Sequence, residues 1–390
     1  MRKLKVGMIG GGFMAKAHSL AMTAAPMFFD DGIILEKYKI ADVSLESAKA
    51  VAHKLGFTSY TDSWQEIIDD KEIDIVDIVT PNHLHEEMAV AAAEAGKHII
   101  CEKPLGRNSE ETRRMLEAVE RAGVKHQVAF NYRKTPAVAL AKKYIEDGEI
   151  GRILSFSGTY LQDWSANPDS PLSWRFQESS AGSGALGDIG THIIDLAHYL
   201  VADIEQVMAM TKTWVKERPI QGGVADSLGK IKTDSCKKGL VDVDDQLITM
   251  LRFENGAVGS LEATRNAWGR HNYLTFEIHG EKGSLYFNYE RRDELQVCFS
   301  EDPDDRRGYK TIYTGAAHPY GEGLWPIPGL GIGYSEVKMV EMHDFLQALQ
   351  QDISCQPSFL EGHRISEVSD AILRSAANNQ WEITKSLSIK

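Results

Sequence analysis

Lys3-Leu4-Lys5-Val6-Gly7-Met8-Ile9-Gly10-Gly11-Gly12-Phe13-Met14-Ala15 is the stretch whose reading decides the fold. Residues 3–9 form a short apolar strand, and residues 13–25 read as a helix. Between them stands Gly10-x-Gly12-x-x-Ala15, in the strand–turn–helix context that a dinucleotide fingerprint requires. Gly10 permits the tight turn, and Gly12 lets a pyrophosphate approach the backbone. Ala15 is small enough for the helix to pack close on the strand, with the positive end of its dipole toward the phosphates. A glycine-rich turn in any strand–helix unit would look the same, so the rest of the chain has to decide.

Working outward, strand and helix alternate. Residues 38–42 read as strand and 45–55 as helix, closed by Gly56. Residues 73–80 are strand, 84–95 helix stopped by Gly96, and 98–102 strand. Asn108 with Glu111 resembles a capping box before a helix to about Ala122, and 125–130 closes the series. This alternation predicts an α/β fold with a parallel, doubly wound sheet. After Gly151 the pattern changes. Residues 152–162, 205–215, 244–253, 257–268, 273–279 and 284–289 read as strands, with Asn255-Gly256 a hairpin turn and Gly280-Glu281-Lys282-Gly283 a second. A second domain with a largely antiparallel sheet is predicted, carrying a helix over 187–200. Helices return at about 336–349 and 364–379. The expected domains are therefore 1–131 and 132–390, with the last helices able to pack back on the first. Residues 216–239 and 315–333 look like loops. The second, with Tyr320, Trp325 and Tyr334 in or beside it, is a candidate lid.

Composition narrows the partners. The 390 residues carry a formal charge of -13, which argues against nucleic acid or an anionic membrane. Cys101, Cys236, Cys298 and Cys355 show no paired spacing, so reduced thiols in the cytoplasm are expected. The first residues run straight into a strand, leaving no room for a signal peptide. No apolar run approaches the ~20 residues that span a bilayer.

Polar groups cluster where strands end. Asp42 follows one, Thr80-Pro81-Asn82 another, Glu102-Lys103 a third and Asn131-Tyr132-Arg133 a fourth. Ligands of open α/β sheets bind at that edge. Asp42 lies further past Gly12 than the ~20 residues usual for a ribose-binding acid, with residues 26–36 read as an insertion. A carboxylate there repels a 2′-phosphate and favours NAD over NADP. Its alternative is a solvated loop aspartate.

Asp188 and His192 share one helix face at i and i+4. A histidine titrates near neutrality and suits removal of a hydroxyl proton. Lys103 would place positive charge beside a developing alkoxide, and Asp188 would orient the imidazole or bind a neighbouring hydroxyl. The reading requires one nicotinamide crevice to gather these three side chains. The plainer alternative is that Asp188 caps the helix and His192 is a core histidine. A metal held by Asp188, His192 and Asp195 is disfavoured by a nearby lysine, and His83 with His85 reads as a helix start rather than a metal pair.

Gly10-Gly11-Gly12-Phe13-Met14-Ala15, Thr80-Pro81-Asn82-His83-Leu84-His85, Glu102-Lys103-Pro104 and Gly187-Asp188-Ile189-Gly190-Thr191-His192 together resemble the glucose–fructose oxidoreductase/inositol dehydrogenase (Gfo/Idh/MocA) family, over essentially the whole chain. The resemblance implies an N-terminal Rossmann domain, a C-terminal α/β domain with a large open sheet, and NAD(P)-dependent chemistry at a sugar or cyclitol hydroxyl. It implies catalytic roles for Lys103, Asp188 and His192. Cofactor contacts are implied for Gly10, Gly12, Phe13, Met14, Asp42, Thr80, Pro81, Asn82, His85, Glu102, Lys103, Asn131, Trp174 and Arg175. On the substrate side it implies Tyr132, Arg133, Gln162, Trp164, Trp325 and Tyr334 beside the catalytic three. Tyr160-Leu161-Gln162-Asp163-Trp164, Trp174-Arg175-Phe176 and the segment 318–325 are similar to members that oxidise the C3 hydroxyl of an anhydro-glucose to a 3-keto sugar. Other members oxidise inositols or glucosides, or cleave glycosides while recycling their NAD. A non-catalytic sensor would not need the charged trio. The family also implies a homodimer or homotetramer through the C-terminal sheet.

Overall fold

The computed structural model describes residues 2–220 and 237–385. The chain divides into two compact units, one of Met1–Asn131 with Gly333–Ser366, the other of Tyr132–Ile332 with Glu367–Lys390.

The first unit holds a six-stranded sheet of β1 (Arg2–Ile9), β2 (Ile33–Ala41), β3 (Ser59–Thr61), β4 (Ile75–Ile78), β5 (His98–Cys101) and β6 (His126–Val128). All pairs are parallel and the order is β3-β2-β1-β4-β5-β6. The direction of winding reverses between β1 and β4, the switch point outside which such sheets bind ligands. Helix Phe13–Phe28 leaves the β1 turn, and helix Leu45–Leu55 starts at Ser44 and stops at Gly56, whose φ of 80° suits glycine. Asn108 does cap helix Ser109–Ala122, accepting the Glu111 N–H at 3.0 Å, while the Glu111 carboxylate accepts the Arg107 N–H instead of closing the box.

Residues 26–36 are not an insertion. Helix Phe13–Phe28 runs through Pro26, and β2 begins at Ile33, because Ile33 to Lys37 pair with Arg2 to Val6 of β1. The partner strand, rather than any alternation in Ile33-Ile34-Leu35-Glu36-Lys37, extends β2.

The second unit holds a nine-stranded sheet. Its strands in chain order are β7 (Ile153–Leu161) and β8 (Ile204–Lys212), then, after a separate pair β9 (Glu217–Pro219) and β10 (Lys238–Leu240), β11 (Gln246–Phe253), β12 (Val258–Thr264), β13 (Tyr273–Gly280), β14 (Gly283–Asn288), β15 (Glu294–Phe299), β16 (Lys310–Tyr313) and β17 (Glu382–Ile383). The spatial order is β16-β15-β14-β13-β7-β12-β11-β8-β17. Its described pairs are antiparallel apart from β7 with β12. In β11, Leu247, Thr249, Leu251 and Phe253 are buried while Ile248, Met250 and Arg252 face outward. Helix Thr191–Leu200 lies tight on β7, where a Cβ at Gly158 would come 2.3 Å from Ile193 Cγ2. The expected loop at 216–239 has strands at both ends. Its middle, 221–236, lies outside the described residues and includes Cys236.

In the first unit, helix Tyr334–Gln351 packs on helix Phe13–Phe28 around an ionised core that sequence periodicity did not show. His18 Nδ1 lies 3.0 Å from both Asp77 oxygens, and its Nε2 lies 2.9 Å from Glu102 Oε1. The Lys338 ammonium donates to Glu102 at 3.0 Å and to Glu341 at 2.8 Å. All five side chains are buried. Burial works against the His18 charge, but Asp77 and Glu102 outweigh it and lift the imidazole to about 9. Burial likewise opposes the Glu102 charge, yet Lys338 and His18 hold that carboxyl well below its usual range.

Two outcomes follow from this cluster. Lys338→Ala leaves buried carboxylates unpaired and should cost about 3–5 kcal/mol in urea unfolding. Because folding raises His18 from 6.5 to about 9, its contribution is complete below about pH 6.5 and is lost as pH rises through 9. The urea midpoint should fall across that window and fall less in His18→Gln; equal slopes in the two proteins would refute the assignment.

Candidate active site

Each glycine of the β1 turn has a separate reason to be there. Gly10 has a φ of 108°, and a Cβ on it would meet the Val79 carbonyl oxygen at 2.9 Å. A Cβ at Gly11 would come 2.6 Å from Asp42 Oδ2. At Gly12 nothing lies within 4 Å, so the backbone there is open to an incoming group. Helix Phe13–Phe28 begins at Gly12 with no side-chain cap and no acid in its first turn, leaving its N–H groups and dipole to an anion. Asp42, just past β2, accepts the Val43 N–H at 2.9 Å and the Ser47 hydroxyl. Asn131 Nδ2 is buried with no acceptor among the described residues. These features fit a dinucleotide. Tyr334, expected at a sugar, lies in this unit, its ring 6.3 Å from Phe13 and its hydroxyl 3.7 Å from Met14 Sδ.

Two residues expected at the cofactor turn out to engage protein groups. Glu102 sits in the buried cluster and accepts the backbone N–H of Lys103 at 3.1 Å through Oε2. His85 is fully buried, with Nδ1 3.0 Å from the Pro104 carbonyl and Nε2 3.0 Å from the Thr80 carbonyl. It ties the Thr80-Pro81-Asn82 turn to the Lys103-Pro104 turn. Burial pushes its pKa down against the pull of those carbonyls.

In the second unit, Asp188 and His192 are not on one uninterrupted α-helix. Residues Leu186–Gly190 form a π turn that leads into helix Thr191–Leu200, a widening found often at functional sites. Capping is done by Asp244, whose Oδ1 accepts the Gly184 N–H at 2.7 Å and whose Oδ2 accepts the Leu186 N–H at 2.8 Å. Burial pushes the Asp244 carboxyl up despite these two bonds. The Asp188 side chain is 21% exposed and lies 3.6 Å from Nη1 of Arg265.

The His192 ring lies 4.6 Å from the Tyr132 ring, edge to face, and 6.0 Å from Tyr160. These tyrosines belong to a directed hydrogen-bond network. Trp164 Nε1 donates to Gln162 Oε1 at 3.0 Å, which orients that amide. Gln162 Nε2 then donates to Asn272 Oδ1 at 3.0 Å and to the Tyr160 hydroxyl at 3.1 Å. The Tyr160 hydroxyl donates to Asn272 Oδ1 at 2.6 Å, and Asn272 Nδ2 donates to the Tyr132 hydroxyl at 3.2 Å.

The remaining expected residues divide. Arg133 is buried in a two-pronged ion pair with Asp195, its guanidinium 4.7 Å from the Tyr199 ring. Its charge is thus engaged within the unit. Arg175 stacks on Trp174 at 4.4 Å in the short helix Trp174–Phe176. Trp325 follows the short helix Gly321–Leu324 and lines a small pocket with Pro136, Asp293 and Thr314. Sequence reasoning missed Asn272, Tyr160 as a network member, and Arg265. A strand drawn over 257–268 put Arg265 in mid-strand. In fact β12 ends at Thr264, so Arg265 is another polar group at a strand end.

A parallel sheet with an open glycine turn at its switch point, in a chain whose second unit bears an acid–imidazole turn, defines a nucleotide-dependent oxidoreductase. Residues 4–130 match the oxidoreductase family with an NAD-binding Rossmann fold, and residues 138–286 match the GFO/IDH/MocA C-terminal domain. The chain belongs to the GFO/IDH/MocA family. It is 62% identical over 382 residues to levoglucosan dehydrogenase of Pseudarthrobacter phenanthrenivorans, covering 98% of each chain. It is 33% identical over 251 residues to the NAD-linked scyllo-inositol 2-dehydrogenase of Bacillus subtilis, covering 64% of this chain and 65% of that one. A solved structure of levoglucosan dehydrogenase with NADH and levoglucosan is 59% identical, covers 99% of this chain and 100% of that one, and superposes with a TM-score of 0.94.

Replacing the Asp42 carboxylate should relax the choice of cofactor. Asp42→Ser is expected to raise the ratio of kcat/KM for NADP to that for NAD by at least about tenfold, the worth of ~1.4 kcal/mol of relieved charge repulsion. An unchanged ratio would remove Asp42 from the ribose site.

Proposed function

We propose that the chain is an NAD-dependent dehydrogenase that oxidises a secondary hydroxyl of a levoglucosan-like sugar, at C3, to a 3-keto sugar. The observation that carries this reading is the ring of aromatic and amide groups built around His192, held by an enzyme family that uses NAD. Aromatic faces suit the apolar side of a pyranose, and a few fixed polar groups suit its hydroxyls.

NAD supplies the hydride acceptor. Gly10 and Gly12 with the N-terminus of helix Phe13–Phe28 would hold its pyrophosphate, and Asp42 its ribose. His192 takes the proton from the reacting hydroxyl as general base. Lys103 stabilises the developing alkoxide through its charge, and Asp188 accepts a hydrogen bond from the sugar. Gln162 presents an oxygen already oriented by Trp164, and so offers the sugar an acceptor. The first unit thus serves the cofactor and the second the sugar.

Among the described residues no helix is long and apolar enough to cross a membrane, and a cytoplasmic enzyme remains our reading. The outward faces of β8 and β11 carry an apolar strip, with Met210 opposite Ile248 and Met208 opposite Met250. Met210, Ile248, Met250 and Val258 are exposed. A second copy of the chain would cover such a strip.

Incubation with NAD and a panel of levoglucosan, glucosides and inositols should produce NADH with levoglucosan most efficiently. Silence across the panel defeats the proposal, and glycoside cleavage without NADH would favour an enzyme that recycles its cofactor. Lys103→Ala and His192→Ala should each lose on the order of 10²-fold or more in kcat; turnover at the native rate in either would overturn that residue's role. Sedimentation should give at least twice the 43.4 kDa chain mass, reduced in Ile248→Glu/Met250→Glu.

A further inference from the structure

Arg265 is fully buried in the second unit, and no role in the proposed reaction has yet been given to it. A guanidinium carries five N–H donors and a permanent charge, so it is rarely buried without engaging several partners. Nη1 lies 3.6 Å from Asp188 Oδ2 and 3.4 Å from the Arg175 carbonyl oxygen, and Nη2 lies 3.4 Å from the Asp244 carbonyl oxygen. The guanidinium is 5.2 Å from the centres of the Trp164 and Phe176 rings. One cation thereby meets the π turn that carries Asp188, the short helix that carries Trp174 and Arg175, the segment that caps the π turn, and the indole that orients Gln162.

The surroundings leave little freedom. A Cβ at Gly184 would come 1.7 Å from the Asp244 carbonyl oxygen and 3.0 Å from Arg265 Nη2, so only glycine lets the capping loop close over the guanidinium. The gap to Asp188 is wider than a hydrogen bond, so Arg265 acts on the carboxylate through its charge. Arg218 offers a comparison inside the same unit. It too is fully buried and stacks on Phe176, at 4.2 Å, but it donates to the carbonyls of Ser165 and Asn167.

We propose that Arg265 is a positioning residue for the reaction: it fixes the Asp188 carboxylate against the Trp174-Arg175 turn and Trp164, so that the groups serving the sugar and those serving the cofactor keep one geometry. This rests on the sugar-dehydrogenase reading. Its chemistry is Coulombic anchoring, with no bond made or broken at Arg265.

A double-mutant cycle tests it. Arg265→Met, Asp188→Asn and their combination are assayed with NAD and levoglucosan, with Arg265→Lys as rescue and Arg218→Met as the structural comparison. Arg265→Met should lose at least about tenfold in kcat, and adding it to Asp188→Asn should cost less than about threefold more, since residues in one interaction do not act independently. Arg265→Lys should restore part of the loss, and NADH affinity, read by fluorescence, should stay within about threefold of native. Arg218→Met should instead combine multiplicatively with Asp188→Asn. Multiplicative losses for Arg265→Met, or native turnover, would overturn the proposal; if that variant does not fold, the cycle is run with Arg265→Gln and judged the same way. If the native enzyme reduces no NAD with any sugar, the functional reading fails by itself. Arg265 is then judged by a crystal structure of Arg265→Gln: a shift of Asp188 by about 1 Å, enough to matter for catalysis, supports anchoring, and an unmoved carboxylate refutes it.

Discussion

The first unit depends on one buried ionic contact, that of Glu102 with Lys338 and His18. Glu102 sits just past β5, His18 is on the helix that leaves the glycine turn, and Lys338 comes from a helix more than two hundred residues later in the chain. Such a cluster adds little net stability relative to apolar groups of the same shape, yet it heavily penalises any arrangement that strands one member unpaired. It therefore selects a single register for helix Tyr334–Gln351 against helix Phe13–Phe28. Burial pushes Glu341 upward against the pull of Lys338 and His18. Glu102 also accepts the N–H of Lys103, so this contact holds the backbone of the residue assigned to the reacting oxygen.

The second unit follows the same logic with different parts. Asp244 caps the turn that carries Asp188, Arg265 pairs with Asp188, and Asn272 gathers the hydroxyls of Tyr132 and Tyr160 with the amide of Gln162. None of these three supporting residues has to touch a sugar. Their effect is to remove rotational freedom from those that would, which is how a site holds geometry to the fraction of an ångström that proton and hydride transfer demand.

Much of the framework was legible because local chemistry signals it. Gly56 and Asn108 end and start helices for reasons contained within a few residues, and Asn255-Gly256 makes the β11–β12 turn in the same way. The glycine turn was legible because a tight turn and a close backbone approach each exclude a side chain. What escaped were elements defined by a partner. β2 was drawn short because its first half is specified by β1, and the separate β9–β10 pair was taken as loop because each strand is three residues long. At the site, His85 and Glu102 were read as facing the cofactor. Motif position places a residue near a strand end but does not show which protein groups its side chain holds, and both hold such groups. Tyr334 was assigned to a lid and proved to begin the helix beside Phe13.

The sequence by itself determined the class: a parallel dinucleotide-binding sheet and a mostly antiparallel second sheet, and it put forward Lys103, Asp188 and His192 as the residues to carry the chemistry. These are properties of spacing and residue type, which survive without knowledge of what packs where. Only the tertiary structure decided which charges neutralise one another. Arg133 pairs with Asp195, Arg265 with Asp188, and Lys338 with Glu102. The reason is energetic: a buried charge is tolerable only beside its counter-charge, and its partner is chosen by the three-dimensional path of the chain rather than by neighbours along it.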